Sequence, residues 1–109
     1  MHLNMTFRVF RSDWCDKKLT KLSKSEREIV ENFEQQLKEE PFSGKPLGYR
    51  FFREKKFNGK RLLFLVYEEH KAIFLITITD KKAQQQVIDL IKANLDVYKD
   101  TLEDIIAKL

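Results

Sequence analysis

The residues best suited to chemistry in this chain are cations on two neighbouring segments that are joined by Asn58 and Gly59. An Asn-Gly pair between two extended segments favours a two-residue type I′ turn, because both central residues need positive φ and these two tolerate it best. With that turn as the loop, Lys56 faces Arg61 across the hairpin. Like charges in opposing positions destabilise a strand pair unless an anion lies near them or both side chains bend into water. The pattern therefore fits an anion-binding site, and it fits two solvated cations equally well.

The same turn predicts the register of the whole hairpin. It pairs Phe57 with Lys60, Lys55 with Leu62, Glu54 with Leu63, and Arg50 with Tyr67. Side chains alternate across a strand, so every second residue of the two strands shares one face. That predicted face carries Arg50, Phe52, Glu54, Lys56, Arg61, Leu63, Leu65, Tyr67 and Glu69. Glu54 is the nearest counter-charge that this register offers to the opposed cations, and it compensates them only in part.

The distribution of charge is more informative than the net value of +4. Residues 1–40 carry 8 basic and 8 acidic side chains, residues 41–82 carry 10 and 4, and residues 83–109 carry 3 and 5. The net charges of the three segments are therefore 0, +6 and −2. A basic segment of this kind is typical of a phosphate-binding surface and steers nucleic acid toward the strands that carry it. A solvated surface produces the same composition.

Length and composition predict one compact domain, residues 1–109. A hydrophobic content of 42% with 35% charged residues is typical of globular proteins with a charged surface. No apolar run approaches a membrane span and the first residues lack a signal-peptide core, so we expect a cytoplasmic protein with no membrane contact. Cys15 has no partner for an internal disulfide. His2 and His70 lack neighbours at metal-ligand spacing, so no metal site is predicted, and His70 is interpreted as an exposed turn residue.

Hydrophobic periodicity predicts the elements that position the cations. Alternation over residues 5–10 indicates a first strand, and a short helix follows over 15–22. Ser23 and Glu26 have capping-box spacing, which predicts a second helix over 24–40 that Pro41 ends. Residues 41–48 hold both prolines and are interpreted as a loop. The predicted strands over 60–69 and 71–79 form a meander whose inward face consists of Leu62, Phe64, Val66, Phe74, Ile76 and Ile78.

The chain after Lys81 changes to helical periodicity, with one apolar seam and no Gly or Pro. The seam consists of Ile88, Ile91, Leu95, Tyr98, Leu102, Ile105 and Leu109. We expect this helix to dock on the protein's own sheet, and the alternative is a homo-oligomer or another protein partner. Its acidic flank makes it a poor contact for nucleic acid.

Several motifs, taken in order, resemble the RelE/ParE toxin superfamily of type II toxin–antitoxin systems over roughly residues 5–95. The motifs are KKLTKL before the long helix, GKPL after it, FREKKF, GKRLLFLVY, and ITITDKKAQQQ at the exit of the last strand. The last of these is similar to a segment of the HigB and phage-derived branch. The resemblance implies an α+β fold with a four-stranded antiparallel sheet, two N-terminal helices packed on one face, and a C-terminal helix. The core would span about 5–82, and 83–109 would be an amphipathic helical extension.

The resemblance also implies an activity, a partner and site residues. It implies a ribosome-dependent mRNA endoribonuclease without a cofactor, in which an RNA 2′-OH attacks the adjacent phosphate while a cognate antitoxin protein holds the enzyme inactive. The implied catalytic residues are Lys56, Arg61 and Lys82, as phosphate clamps or, for Lys56, as a proton acceptor. The implied mRNA-binding residues are Arg50, Arg53, Lys60, Lys81 and Tyr67.

One departure from the family keeps other functions open. Gln84, Gln85 and Gln86 occupy the region where some nucleases of this family have an aromatic residue that stacks a base. The alternatives are a ParE-like inhibitor of DNA gyrase, which needs no RNA-cleaving residues, and a non-catalytic relative that binds proteins through its C-terminal seam.

Overall fold

The computed structural model describes residues 6–109, which form five strands and four α-helices around one sheet. Met5, at the start of the predicted first strand, and His2 lie outside the described residues. In chain order the elements are β1 (Arg8–Arg11), α1 (Asp13–Leu19), α2 (Lys24–Glu39), β2 (Lys45–Tyr49), β3 (Phe52–Phe57), β4 (Lys60–Tyr67), a 3-10 turn (Glu68–His70), β5 (Ala72–Asp80), α3 (Gln84–Ala93) and α4 (Leu95–Ala107).

The sheet is mixed and has the strand order β1-β5-β4-β3-β2, so the prediction of four antiparallel strands was wrong in two respects. The first is that β1 pairs in parallel with β5, through a contact between distant parts of the chain. The second is β2, which occupies part of the predicted loop and pairs with β3. The sequence of β2 does not indicate a strand, because KPLGY contains Pro and Gly and only its Leu47 is buried. An edge strand tolerates both residue types, since one side of it needs no ladder hydrogen bonds.

The Asn-Gly turn forms as predicted and sets the register of β3 and β4. Asn58 has φ 46° and Gly59 has φ 73°, which are the positive values that a type I′ turn requires. The pairing runs from Phe57 with Lys60 to Phe52 with Leu65, and Lys56 lies opposite Arg61. The predicted pair of Arg50 with Tyr67 is wrong, because β3 begins only at Phe52.

A β-bulge in β5 divides the core differently from the predicted inward face. The register between β4 and β5 shifts by one residue after Leu63, so Leu63 pairs with Thr77 while Phe64 pairs with Leu75. Phe74 and Ile76 therefore face the opposite side of the sheet from Ile78. A single extra residue moves every side chain beyond it to the other face, and simple alternation does not reveal that.

The two N-terminal helices pack on one face of the sheet, as predicted, and each begins at a serine cap. Ser23 Oγ accepts a hydrogen bond from Glu26 N, which confirms the predicted start of α2. Ser12 Oγ accepts from Cys15 N and donates to Ile76 O at 2.6 Å, so α1 begins before the predicted position and is tied to the bulge. Buried residues on this face include Cys15, Leu19, Leu22, Val30, Leu37, Leu62, Phe64 and Leu75.

The C-terminal segment forms two helices, α3 and α4, that break at Asn94, where one continuous helix was predicted. Both pack on the second face of the sheet, and Ile88, Ile91 and Leu102 of the predicted seam are buried there. His70 Nε2 lies 2.9 Å from Glu103 Oε2, which joins the 3-10 turn to α4. The seam therefore docks on the chain's own sheet as far as Ile105, whereas Leu109, its last predicted member, is 76% exposed. No helix within residues 6–109 is long and apolar enough to cross a bilayer.

Candidate functional site

Two rows of side chains, all polar except Leu63, cross the second face of the sheet at the end where α3 begins. The first row contains Lys45, Glu54, Leu63 and Thr77, and the second contains Lys56, Arg61 and Thr79. Residues paired across neighbouring strands share a face, and so do residues two apart on one strand. The rest of this face is apolar and lies beneath α3 and α4. The helices therefore leave a polar patch at one end of an otherwise hydrophobic surface.

The centre of this patch holds two buried residues of opposite charge type, Glu54 at 1% exposure and Arg61 at 9%, which form no ion pair with each other. Gln84, at the first position of α3, donates from Nε2 to Glu54 Oε2 at 2.6 Å. Arg61 Nη1 donates to Gly59 O at 3.1 Å. Glu54 Oε1 and Arg61 Nε are buried without a hydrogen-bond partner among the described residues. Each such atom costs about 1–3 kcal/mol, and native proteins keep few of them, often at functional sites.

Three exposed lysines surround this pair, and two of them lie in the turn that follows β5. Asp80 Oδ1 accepts a hydrogen bond from Ala83 N at 2.8 Å, which shapes the turn that carries Lys81 and Lys82. This turn is at the same end of the sheet as the Asn-Gly turn, because Asp80 pairs with Lys60. Within residues 6–109, neither these two lysines nor Lys56 forms an ion pair. The predicted catalytic residues therefore occupy one end of the sheet.

Lys60 lies at the same end but is already paired. Its Nζ is 2.8 Å from Glu26 Oε2 of α2. That contact, with a weaker hydrogen bond from Asn58, lowers the pKa of the Glu26 carboxyl. Because of this ion pair, Lys60 contributes less to the positive surface potential than an unpaired lysine does.

Lys81 shares this end of the sheet, whereas the other three predicted mRNA-binding residues lie elsewhere. Tyr67 ends β4, about 20 Å from Arg61 at the strand rise of roughly 3.3 Å per residue, and burial raises its pKa. Arg50 is near that same end. Its Nη1 lies 2.9 Å from Glu68 Oε1, and its Cζ lies 3.6 Å from the centre of the Phe42 ring. Arg53 pairs with Phe64, so it projects to the opposite face. The predicted set therefore does not form one cluster.

The Arg53 side chain forms hydrogen bonds that hold the backbone around it. Its guanidinium donates to three backbone oxygens, Ser43 O at 3.1 Å, Gly44 O at 3.0 Å and Arg50 O at 3.0 Å. These bonds join the segment before β2 to the start of β3. Burial and the neighbouring charge of Arg50 lower the pKa of Arg53.

Sequence reasoning missed the acidic and amide members of the patch. It treated Glu54 only as a partial counter-charge and noted Gln84 only for the aromatic residue that it replaces. The hairpin register already placed Glu54 on the face of Lys56 and Arg61, which was the signal for its position. Alternation from Ile78 already placed Thr77 and Thr79 on the face of Arg61, because the bulge changes the face only of residues before Thr77. Among residues 6–109, no cluster of three or more His, Cys, Asp or Glu residues could hold a metal ion.

No protein-family model and no curated protein sequence matches this chain. Solved structures do match. The RelBE2 toxin–antitoxin complex from Mycobacterium tuberculosis contains a chain with 22% identity and a TM-score of 0.61, over 70% of this chain and 99% of that one. A double arginine-to-alanine mutant of Escherichia coli toxin RelE in the free state has 20% identity and a TM-score of 0.65, over 76% and 90%.

An archaeal RelE–RelB complex from Pyrococcus horikoshii gives a similar result, with 20% identity and a TM-score of 0.61 over 70% of this chain and 96% of that one. These similarities cover 90–99% of the matched chains and 70–76% of this chain. Part of this chain therefore lies outside the shared fold. Identity at this level establishes architecture and not activity. The chain has the fold of the RelE toxins, which confirms for the fold the resemblance that its motifs predicted.

Proposed function

We propose that this protein is the toxin of a type II toxin–antitoxin system and cleaves mRNA on the ribosome. The observation that carries the proposal is the group of exposed lysines, without ion pairs among residues 6–109, at the same end of a RelE-like sheet as the buried Arg61. Exposed cations without counter-charges attract a polyanion and make its binding dependent on salt. The proposed target places the action of the protein in the cytoplasm.

In this proposal the lysines contact the RNA and the buried pair supports them. Lys81 and Lys82 grip the non-bridging oxygens of the cleaved phosphate from the turn after β5. Arg61 exposes only 9% of its surface, so it strengthens the local positive potential and reaches a phosphate oxygen only at the rim. Cations held in place before the reaction stabilise the charge that develops on the phosphoryl oxygens.

The attacking 2′-OH must lose a proton, and the leaving 5′-oxygen must gain one. A proton-transfer group has to come within about 2.6–3.2 Å of the reacting oxygen. Lys56 is exposed and can approach at that distance, whereas Glu54 is buried beneath Gln84 and cannot. We therefore assign both transfers to Lys56: its neutral amine accepts the proton of the 2′-OH, and the ammonium so formed gives a proton to the leaving 5′-oxygen. Glu54 is a positioning residue that fixes the start of α3 through its hydrogen bond from Gln84.

The partner in this proposal is a cognate antitoxin. Several of the matched structures are complexes of RelE with RelB, which supports a partner of that kind for a chain with the same fold. The cationic end of the sheet is the surface that such a partner would have to cover to block RNA.

The test compares purified wild-type protein with Lys56→Met and Lys82→Met in a translation extract that contains ribosomes. General acid–base catalysis contributes about 10²–10⁴-fold, so we expect Lys56→Met to reduce message cleavage by roughly a hundredfold or more. Lys17→Met, which removes an exposed lysine from α1, is the matched control and should cleave normally. Intact message with the wild-type protein, or inhibition of gyrase supercoiling without RNA cleavage, would contradict the proposal.

A further inference from the structure

A groove between β2 and α3 continues from the polar patch along the edge of the sheet. It contains a cavity of about 250 Å³ lined by Lys45, Leu47, Gln84, Gln85, Ile88 and Lys92. Leu47 and Ile88 are buried at 8% and 6% exposure and form its apolar floor. Two lysines and two amides form its walls. This combination of a small aliphatic floor, amide groups and cations can contact the three parts of a nucleotide, which are the base, its polar edge and the phosphate.

The groove is continuous with the proposed cleavage site. Lys45 pairs with Glu54 across β2 and β3. Gln84 lines the cavity and also donates the 2.6 Å hydrogen bond to Glu54 Oε2. Gln85 donates from Nε2 to Asp89 Oδ1 at 2.9 Å, which leaves its amide oxygen as an acceptor. A strand of RNA that leaves the patch therefore meets the cavity next.

Beyond the cavity, two exposed aromatic rings extend the same surface. Tyr49 is 45% exposed and Phe51 is 36% exposed, and their rings stack with centroids 4.8 Å apart and planes 22° apart. Lys92 Nζ lies 5.8 Å from the centre of the Tyr49 ring. The chain makes room for this lysine at Gly48, where a Cβ atom would lie 2.6 Å from Nζ. The outer ring offers a platform beside a cation, as proteins that bind single-stranded RNA commonly provide.

Charge determines where this surface ends. On the other side of Phe51 lies a second cavity, and its lining includes Glu68, Glu69 and Asp96. Those carboxylates repel a phosphate backbone, whereas both side-chain charges that line the first cavity are positive. The cationic surface therefore extends from the lysines of the patch to Tyr49 and Phe51 and stops there.

We propose that the groove from Lys45 to Phe51 binds the single-stranded RNA beside the cleaved phosphate, with one base in the cavity and another stacked on Tyr49. Lys45 and Lys92 contact the phosphates between those bases. This inference rests on the proposed nuclease function and adds to it a defined path for the substrate. It also assigns base stacking to residues of β2 and the β2–β3 turn, far in sequence from the glutamines after β5.

The test measures binding of a fluorescent oligouridylate to the purified protein by anisotropy at several salt concentrations. We expect Tyr49→Ala to weaken binding about tenfold, which is the scale of one base stacked on an aromatic ring. Tyr49→Phe should bind as the wild type does. Lys92→Gln should reduce the slope of log affinity against log salt by about one phosphate contact. Val97→Ala and Lys99→Gln are the matched controls on α4 and should change neither quantity.

Message cleavage by the same preparations in a ribosome-containing extract reports separately on the proposed function. Unchanged RNA affinity in both Tyr49→Ala and Lys92→Gln overturns the groove, even if the wild-type protein cleaves message. A wild-type protein that does not bind the oligonucleotide also overturns the groove. Variants that keep RNA affinity but lose affinity for an antitoxin overturn it as well. Weaker RNA binding in these two variants, with intact circular dichroism and normal controls, supports the groove.

Discussion

Replacing Arg53 by methionine should destabilise the fold without touching the cationic patch. Arg53→Met keeps the length of the apolar stem and removes the guanidinium, which donates to Ser43 O, Gly44 O and Arg50 O. A hydrogen bond from a charged donor contributes about 1.5–3 kcal/mol when it is well buried. The side chain here is half-buried, and water can reach the carbonyl oxygens after the change, so about 1 kcal/mol for each bond is the better value.

The total is then about 3 kcal/mol, which is a large part of the stability of a domain of this size. At roughly 4 °C per kcal/mol, the Tm should fall by about 12 °C. Thermal and urea denaturation followed by far-UV circular dichroism measure this difference. The segment before β2 has little freedom to adjust, because a Cβ atom at Gly44 would lie 2.3 Å from Glu54 O.

The matched control is Lys56→Met on the same strand. Lys56 is exposed and projects to the opposite face, and it forms no side-chain hydrogen bond or ion pair within residues 6–109. Its replacement should change the free energy of unfolding by no more than about 0.5 kcal/mol. If Arg53→Met were as stable as Lys56→Met, the assignment of Arg53 to a structural role would be wrong.

Three further predictions concern the core. Ser12→Ala removes the cap of α1 and the bond to Ile76 O; it should cost about 2–3 kcal/mol in urea denaturation, and a loss below about 0.5 kcal/mol would contradict the described tie between α1 and the bulge. Leu102→Ala, at a fully buried position of α4, should cost about 2–5 kcal/mol; an unchanged midpoint would mean that α4 does not dock on the sheet. Burial raises the pKa of Cys15 to about 12, so the neutral thiol persists well above pH 8, and a disulfide reagent should label it only as fast as the protein opens. Rapid labelling of the native protein would refute its burial.

The hairpin and the helical faces could be predicted because their determinants are local. Asn58 and Gly59 select one turn, and that turn fixes the pairing of Lys56 with Arg61. The spacing from Ser23 to Glu26 fixes the start of α2. In each case a few consecutive residues decide the backbone geometry without help from distant parts of the chain.

The bulge, β1 and β2 could not be predicted, because contacts between distant residues decide them. Ser12 Oγ donates to Ile76 O across 64 positions of sequence, and the bulge in that region of β5 determines the face of Phe74 and Ile76. β2 exists as a strand because β3 offers it an edge, although its composition is typical of a loop. For the same reason the sequence predicted that Arg61 lies opposite Lys56 but not that it is buried at 9% exposure, since burial depends on the packing of distant elements.

The most direct test of the central claim is to determine the chemical ends of message fragments from a reconstituted translation reaction. Attack by the 2′-OH leaves a 2′,3′-cyclic phosphate or its hydrolysis product on one fragment and a 5′-hydroxyl on the other. We predict these ends with the wild-type protein and at least a hundredfold fewer fragments with Lys56→Met, on the usual scale of general acid–base catalysis. Intact message beside stalled ribosomes, or fragments that carry 5′-phosphates, would contradict the account.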